Sequence, residues 1–244
     1  MTSSPMKLQN RELFGGAIEL QVPADFLDVS DFRQVPDTQE VYTTEDGAVS
    51  LVVEILDVVK EEGCEDDLWK AINFHFGAIA HDNEAVSQQV TTIYEPSYSI
   101  QPTSLGSYES MQDLSSFKFP TPSPMTLEGT QLVRKFRSER PVEELPPPDK
   151  VLIFVALWRV LLENGSKDGR PIPEMDDDEH MQDVTGASAG DGKARGRYAD
   201  VLCSVNVNVA NTSEAEVNEV RAWFKESSSN MRIRDYGLFV EVEK

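Results

Sequence analysis

The sequence is poor in cysteine and has no long apolar run, and both absences limit what the chain can be. Its two cysteines, Cys64 and Cys203, lie far apart and outside any CxxC or Cys/His metal-binding pattern. Isolated thiols are typical of a reducing compartment rather than of a disulfide scaffold. The longest apolar run, Val151–Leu157, is far shorter than the roughly 20 residues of a membrane helix. With no apolar signal core near Met1, we expect a soluble, intracellular protein.

Basic residues are also few. The chain has 22 lysines and arginines against 43 acidic residues, which gives a net charge of −21. Nucleic acids and anionic membranes are bound through clustered Lys and Arg, so we predict that neither is a direct partner. Opposite charge speeds encounter between proteins, which favours a basic protein partner. High net charge can also serve solubility alone.

The motifs that would carry catalysis are incomplete. Gly186–Gly190 reads GxSxG, the nucleophile elbow of serine hydrolases, but acidic and glycine-rich segments stand where the elbow needs a strand and a helix. Gly192-Lys193 resembles the end of a phosphate-binding loop, but alanine follows where Mg²⁺ binding needs Ser or Thr. The acidic tract Asp176–Glu179 beside His180 lacks the fixed geometry of a metal site. We therefore predict a non-catalytic protein with no cofactor and no metal.

Alternating and β-branched stretches predict that strands predominate. Gly15-Gly16 inside the first strand indicates a bulge or a close backbone approach, and Asp46-Gly47 indicates a hairpin turn. Val151–Val160 is also long enough for a buried helix. The predicted strands are Leu13–Leu20, Glu40–Thr43, Ala48–Val59, Val86–Tyr94, Thr130–Arg137, Val151–Val160, Tyr198–Val209 and Ile233–Val240.

Two helices are predicted between these groups of strands. The first lies within Glu65–Ala80, where four apolar residues recur at spacings of four and three and form one stripe. These residues are Leu68, Ile72, Phe76 and Ile79. The second begins at Ser213–Glu216, which has the Ser-x-x-Glu form of a capping box. Single helices between groups of strands indicate an α+β fold, a mostly antiparallel sheet packed by a few helices.

Two polar segments interrupt this pattern. We predict one domain over residues 1–244 with two insertions: residues 95–126, rich in Ser, Pro and Tyr, and residues 163–197, acidic and rich in glycine. Neither segment has a sustained hydrophobic period, and both are poor in the apolar residues that a packed core needs. We therefore predict that both insertions are disordered.

Two carboxylates interrupt the most apolar of the early strands. Glu54 and Asp57 lie within Ala48–Val59, where a charge is costly if it is buried without a partner. In a strand their odd spacing puts them on opposite faces unless a bulge intervenes, whereas in a helix they would share a face. They lie at an exposed edge, pair with a base, or belong to a surface kept for binding.

Four blocks in the first quarter of the chain carry a family resemblance. They are Leu13–Ile18 (LFGGAI), Asp28–Ser30 (DVS), Arg33–Val41 (RQVPDTQEV) and Ser50–Asp57 (SLVVEILD). Their order and spacing resemble the Ran guanine-nucleotide release factor family, also called the MOG family of nuclear import factors. The third block is the most specific. Val151–Val160 and Ala199–Val207 resemble the family's later strands more loosely, and the two insertions depart from its compact pattern.

The resemblance implies both a fold and a partner. The fold would be an α/β/α sandwich with a central antiparallel sheet of the PsbP-like kind. The protein would bind the small GTPase Ran, promote guanine-nucleotide release and support nuclear protein import, in the nucleus and cytoplasm. Glu54 and Asp57 match the acidic residues implicated in Ran contact, and Asp37, Gln39 and Glu40 are further candidates. We expect a monomer. The alternative function is an acidic chaperone or scaffold for other basic proteins.

Overall fold

Antiparallel strands make up most of the regular structure. The computed structural model describes residues 6–94, 121–134, 146–162 and 197–239. Its strands are β1 (Leu8–Leu13), β2 (Ile18–Pro23), β3 (Leu27–Asp28), β4 (Gln39–Thr43), β5 (Val49–Asp57), β6 (Ala85–Tyr94), β7 (Met125–Val133), β8 (Asp149–Leu162), β9 (Arg197–Asn208) and β10 (Arg232–Ile233). Its α-helices are α1 (Leu68–Asp82) and α2 (Glu214–Asn230).

Seven of the strands form one sheet in the order β3-β4-β5-β9-β8-β7-β6, with every neighbouring pair antiparallel. β8 lies near the middle, and the alternative of a buried helix there is wrong. Successive residues of β8 enter opposite cores: Phe154 belongs to one apolar cluster, whereas Ile153 and Val155 belong to the other. A run that is apolar on both sides is what a strand covered on both faces requires.

The two helices cover opposite faces of this sheet. On the α1 face, α1 packs on β6, β7 and β8 around a core that includes Ile72, Phe76 and Leu157. On the α2 face, α2 and the small sheet β1-β2-β10 enclose a larger core that includes Trp158 and Phe224. This arrangement confirms the predicted α+β class, with an antiparallel sheet between helices.

The first predicted strand, Leu13–Leu20, is wrong. β1 ends at Leu13, a 3-10 turn occupies Phe14–Gly16, and β2 returns antiparallel to β1. Phe14, Gly15 and Gly16 have φ angles of 52°, 66° and 95°. Glycine adopts this left-handed region without steric cost, so the glycine pair forms a hairpin turn rather than a bulge.

Other element ends differ from the predictions. β7 begins five residues before the predicted Thr130 and ends at Val133. The predicted strand Ile233–Val240 is reduced to the end of β10, and a 3-10 turn follows over Tyr236–Phe239. The capping box is confirmed: Ser213 Oγ accepts from the Glu216 amide, while the Glu216 carboxylate accepts from the Ser213 amide.

Most of both predicted insertions lies outside the described residues, namely 95–120 and 163–196. The GxSxG sequence at Gly186–Gly190 and the acidic tract Asp176–Glu179 also lie outside them. Both predicted insertions extend slightly too far at their C-terminal ends. Met125 and Thr126 belong to β7, and Arg197 begins β9, because all three pair in register with strands of the central sheet.

Candidate functional site

The predicted partner-binding residues gather at one end of the β4–β5 pair. Gln39 begins β4 and lies directly opposite Glu54, near the end of β5. Asp37 lies in the turn just before β4, which the Gln39 amide closes by donating to the Pro36 carbonyl at 2.9 Å. The Ile55 amide donates to the Thr38 carbonyl at 3.0 Å and holds this turn against β5. Antiparallel pairing thus brings together residues that are well separated in sequence.

Glu54 and Asp57 nevertheless lie on opposite faces of the sheet. β5 pairs with β9 in unbroken register from Val49 to Asp57. Val53 enters the core of the α2 face, so the neighbouring Glu54 lies on the α1 face. Asp57, three residues further along, returns to the α2 side and is exposed. The α-carbons of the two acidic residues are therefore about 10 Å apart along the strand.

Glu54 is a half-buried carboxylate without a lysine or arginine partner among the described residues. Its Oε1 accepts a hydrogen bond from Gln39 Nε2. Among the residues that the structure describes, no lysine or arginine forms an ion pair with it. Burial raises the pKa of Glu54, and the nearby Asp82 carboxylate adds to that shift. The Gln39 hydrogen bond and the nearby His75 oppose it. The ionised side chain is thus held where a cation would stabilise it.

This carboxylate is accessible to a large partner. On the α1 face, α1 packs on β6, β7 and β8. Val41 and Val52, a cross-strand pair next to Gln39 and Glu54, belong to neither apolar core. Glu54 itself is partly exposed, on the part of this face formed by β4 and β5. Exposed apolar side chains also lie near this edge of the sheet: Leu27 is 39% exposed and Phe32 is 72% exposed.

Replacing Glu54 by glutamine should stabilise the protein near neutral pH. A raised pKa means that this group's contribution to stability is fully present below its ordinary value of 4.5 and is lost as the pH rises through the raised value. Glutamine does not titrate, so the variant should melt at a higher temperature than the wild type near neutrality. Below pH 4.5 the two melting temperatures should converge. Identical melting temperatures at neutral pH would contradict this account of Glu54.

Glu40 has a structural role in addition to its candidate role. Its Oε1 accepts from the Phe14 amide at 2.7 Å and so holds the left-handed turn between β1 and β2. Its Oε2 lies 3.5 Å from the Tyr42 hydroxyl, which donates to it. The Glu40 carboxylate is therefore held by contacts within the fold, as the Glu54 carboxylate is by Gln39.

A buried charged network that was not predicted from the sequence lies beside this site. Arg159 of β8 faces Asp200 of β9 as a cross-strand pair. Its Nε donates to Asp200 Oδ1 at 2.8 Å, and its Nη2 donates to Asp200 Oδ2 at 2.9 Å. His75 Nε2 of α1 lies 3.4 Å from the same Oδ2. The Arg159 side chain is 8% exposed and that of Asp200 is fully buried. Both charges interrupt apolar runs, the signal that had identified Glu54.

The Asp200 carboxylate stays ionised in this network. Burial by itself raises the pKa of Asp200, but the hydrogen bonds from Arg159 and His75 and the positive charge of Arg159 outweigh it. The pKa of Asp200 therefore lies below its ordinary range. In the described ranges, no group of three or more His, Cys, Asp and Glu side chains is arranged to hold a metal ion. No helix there is long and apolar enough to cross a membrane.

Comparison with known proteins matches residues 11–168, more than half of the chain, to the family described as Ran-interacting Mog1 protein. The chain is 32% identical over 130 residues to a Ran guanine nucleotide release factor of Danio rerio, which covers 53% of this chain and 62% of that protein. It is 43% identical over 75 residues to the nuclear import protein MOG1 of Saccharomyces cerevisiae, covering 26% of this chain and 33% of that protein. The matched segments thus span less than two thirds of either relative.

Solved structures share the fold. The Ran-binding protein Mog1p of Saccharomyces cerevisiae superposes with a TM-score of 0.55 at 20% identity, covering 96% of this chain and 98% of that one. A mutant of Mog1 superposes with a TM-score of 0.57 at 21% identity, covering 96% and 100%. At these identities the likeness shows the architecture alone. The family match includes the carboxylate end of the β4–β5 pair, and the chain belongs to the Mog1 family.

Proposed function

We propose that this chain binds the small GTPase Ran and promotes release of its guanine nucleotide, in support of nuclear protein import. Relatives that match it are named Ran guanine nucleotide release factor and nuclear import protein. The chain acts by binding, without a catalytic residue or a cofactor. Its work in import places it in both the nucleus and the cytoplasm.

The observation that carries the proposal is the state of Glu54. A half-buried carboxylate with a raised pKa and no lysine or arginine partner among the described residues costs stability. A cation supplied by a second protein would remove that cost and gain a charge-assisted hydrogen bond. We therefore infer that Glu54 binds a Lys or Arg of the partner. It lies in a segment that the family match covers.

Ran engages the end of the β4–β5 pair from more than one side. Because Glu54 and Asp57 lie on opposite faces, a flat contact with one face reaches only one of them. The turn at Asp37 lies at the same end of the β4–β5 pair and is held to Ile55 through the Thr38 carbonyl. A partner that wraps this end contacts Glu54 and Gln39 on the α1 face and reaches Asp57 around the turn.

Nucleotide release needs no proton transfer. A release factor must bind the nucleotide-poor form of the GTPase more tightly than the loaded form, and by linkage the nucleotide is then bound more weakly. Carboxylates brought close to a Mg²⁺-phosphate site repel the phosphate charge. The excess of acidic residues in this chain also speeds encounter with a basic surface.

Reversing the charge of Glu54 or Asp57 should weaken Ran binding. We expect Glu54→Lys and Asp57→Lys each to raise the dissociation constant about tenfold, because each replaces an attraction with a repulsion. Glu226→Lys on the exposed side of α2 is the matched control, since it changes the net charge equally and should bind as the wild type does. Calorimetry with Ran loaded with GTP, loaded with GDP and free of nucleotide measures all three variants.

Release is tested with Ran carrying a fluorescent guanine nucleotide. The wild type should accelerate loss of the label, and Glu54→Lys should slow it toward the rate of Ran alone. If the wild type bound no form of Ran, the proposal would be wrong. If the wild type bound Ran but left the release rate unchanged, Ran would remain the partner and the proposed release activity would be wrong. If Glu54→Lys and Glu226→Lys changed Ran binding equally, the proposed binding site would be wrong.

A further inference from the structure

The segment that follows Asp57 is strongly acidic and lies at the proposed docking end. Residues 58–67 connect β5 to α1, and we call them the acidic connection. They contain five acidic residues and one lysine, so their formal charge is −4. The acidic residues are Glu61, Glu62, Glu65, Asp66 and Asp67. Mutual repulsion between such closely spaced carboxylates would push this segment away from the sheet unless it is anchored.

Arg159 supplies an anchor from the middle of the sheet. Its Nη1 donates to the Cys64 carbonyl and to the Glu65 carbonyl, both at 2.7 Å. Its other two nitrogens are held by Asp200, which is itself near His75 of α1. All three nitrogens of the guanidinium are thus engaged, one of them on the backbone of the acidic connection. The network joins β8, β9, α1 and the connection at one buried point.

Stability alone does not explain this choice of residues. An ion pair as deeply buried as Arg159 and Asp200 is often no more stabilising than well-packed apolar residues of similar size. Leu157, two residues before Arg159 on the same face, shows that an apolar side chain suits this side of β8. What a guanidinium adds is a rigid fork of donors that fixes two backbone carbonyls in place.

We propose that Arg159 is a positioning residue that holds the acidic connection against the sheet and thereby presents the exposed carboxylates of Glu61 and Asp66, together with Asp57, to the incoming partner. This inference rests on the proposed function, because the partner whose approach is steered is Ran. Asp200 orients the guanidinium, and the connection gains a fixed position that its own charge would otherwise oppose. Partner association is then faster than the same charges on an unanchored segment would allow.

The test uses a double variant, Arg159→Met with Asp200→Asn, which removes both charges together and so leaves no buried charge unpaired. Cys64, 2% exposed within the connection, reports on anchoring through its rate of labelling by a thiol reagent. Cys203 lies in the central sheet, and burial raises its pKa to about 12, so it reports on global unfolding. We expect about tenfold faster labelling of Cys64 with Cys203 still protected, and about threefold to tenfold slower association with Ran.

A matched control removes a second bidentate pair elsewhere. Arg221 and Glu128 make the same two-bond contact on the α2 face, at 2.9 and 2.8 Å. Arg221→Met with Glu128→Gln should leave both the Cys64 labelling rate and the Ran association rate unchanged. Arg159→Lys keeps the positive charge but not the forked donor geometry, so it should give Cys64 labelling and Ran association rates between those of the wild type and the double variant. It also tests the proposal if the double variant does not fold.

The outcomes distinguish a failure of the anchoring by Arg159 from a failure of the proposed Ran binding. An unchanged Cys64 rate in the double variant would overturn the anchoring. A faster Cys64 rate with an unchanged association rate would overturn the docking role of the connection. Failure of the wild type to bind Ran would overturn the proposed function, and with it the docking role, while the Cys64 rate would still report on the anchor.

Discussion

Replacing Asp200 by alanine should lower the free energy of unfolding by about 3–5 kcal/mol. The side chain of Asp200 is fully buried, and its loss leaves the Arg159 guanidinium, only 8% exposed, without a counter-ion. An uncompensated buried charge costs far more than the net stabilisation that the intact pair supplies. The two carbonyls of Cys64 and Glu65 remain as acceptors but cannot neutralise the charge. Urea denaturation of the two proteins measures the difference.

Two further variants identify the cause of that loss. Asp200→Asn should cost less than alanine because it keeps an acceptor for Arg159. The combination of Arg159→Met with Asp200→Asn should recover much of the stability lost in Asp200→Ala, since it contains no unpaired charge. A loss below about 1 kcal/mol in Asp200→Ala would show that water or a shifted side chain replaces the carboxylate readily.

The second large effect is expected at Gly129, in the middle of β7. A Cβ atom there would lie 2.5 Å from Phe76 Cζ and 2.8 Å from the Gln89 backbone oxygen. The ring is packed beneath α1 and the oxygen belongs to the neighbouring strand, so neither can move away cheaply. We expect Gly129→Ala to destabilise the protein by about 3 kcal/mol, near the upper end of overpacking costs. Thermal and urea unfolding measure the loss.

Gly77 of α1 is the matched control. A Cβ there would meet only Gln88 Nε2, at the ordinary contact distance of 3.8 Å. Gly77→Ala should therefore stabilise the helix by about 0.5–1 kcal/mol, the opposite sign. Adding Phe76→Leu to Gly129→Ala removes the ring atoms that clash and should restore part of the loss. If Gly129→Ala were neutral, the close packing of α1 on β7 would be wrong.

Local patterns predicted the elements whose signals are local. The Asp46-Gly47 turn and the Ser213 capping box each depend on residues within a few positions, and both occur as expected. The strand assigned to Leu13–Leu20 failed because Phe14–Gly16 forms a turn with positive φ angles, and Glu40, 26 residues away, holds the Phe14 amide there. No hydrophobic period reports such a contact.

The candidate site was predictable only in part for the same reason. Glu54 is visible as a charge inside an apolar run, and the odd spacing to Asp57 already allowed opposite faces. The unbroken pairing of β5 with β9 is what decides between the faces. Arg159 and Asp200 gave the same signal as Glu54, but they meet only through the register of β8 with β9, across a long intervening segment. Register between distant strands cannot be read from either strand alone.

The contact between Glu40 and the Phe14 amide gives part of the family resemblance a structural explanation. It joins the LFGGAI block to the RQVPDTQEV block through one hydrogen bond between residues 26 positions apart. The DVS block has a similar explanation, since Asp28 accepts from both the amide and the hydroxyl of Ser30. Because the donor is the backbone amide of Phe14, Glu40 can fix this turn with any residue but proline at position 14. These contacts tie parts of the resemblance to the backbone geometry of the fold, while Asp37, Gln39, Glu54 and Asp57 in the same blocks are the candidates for partner contact.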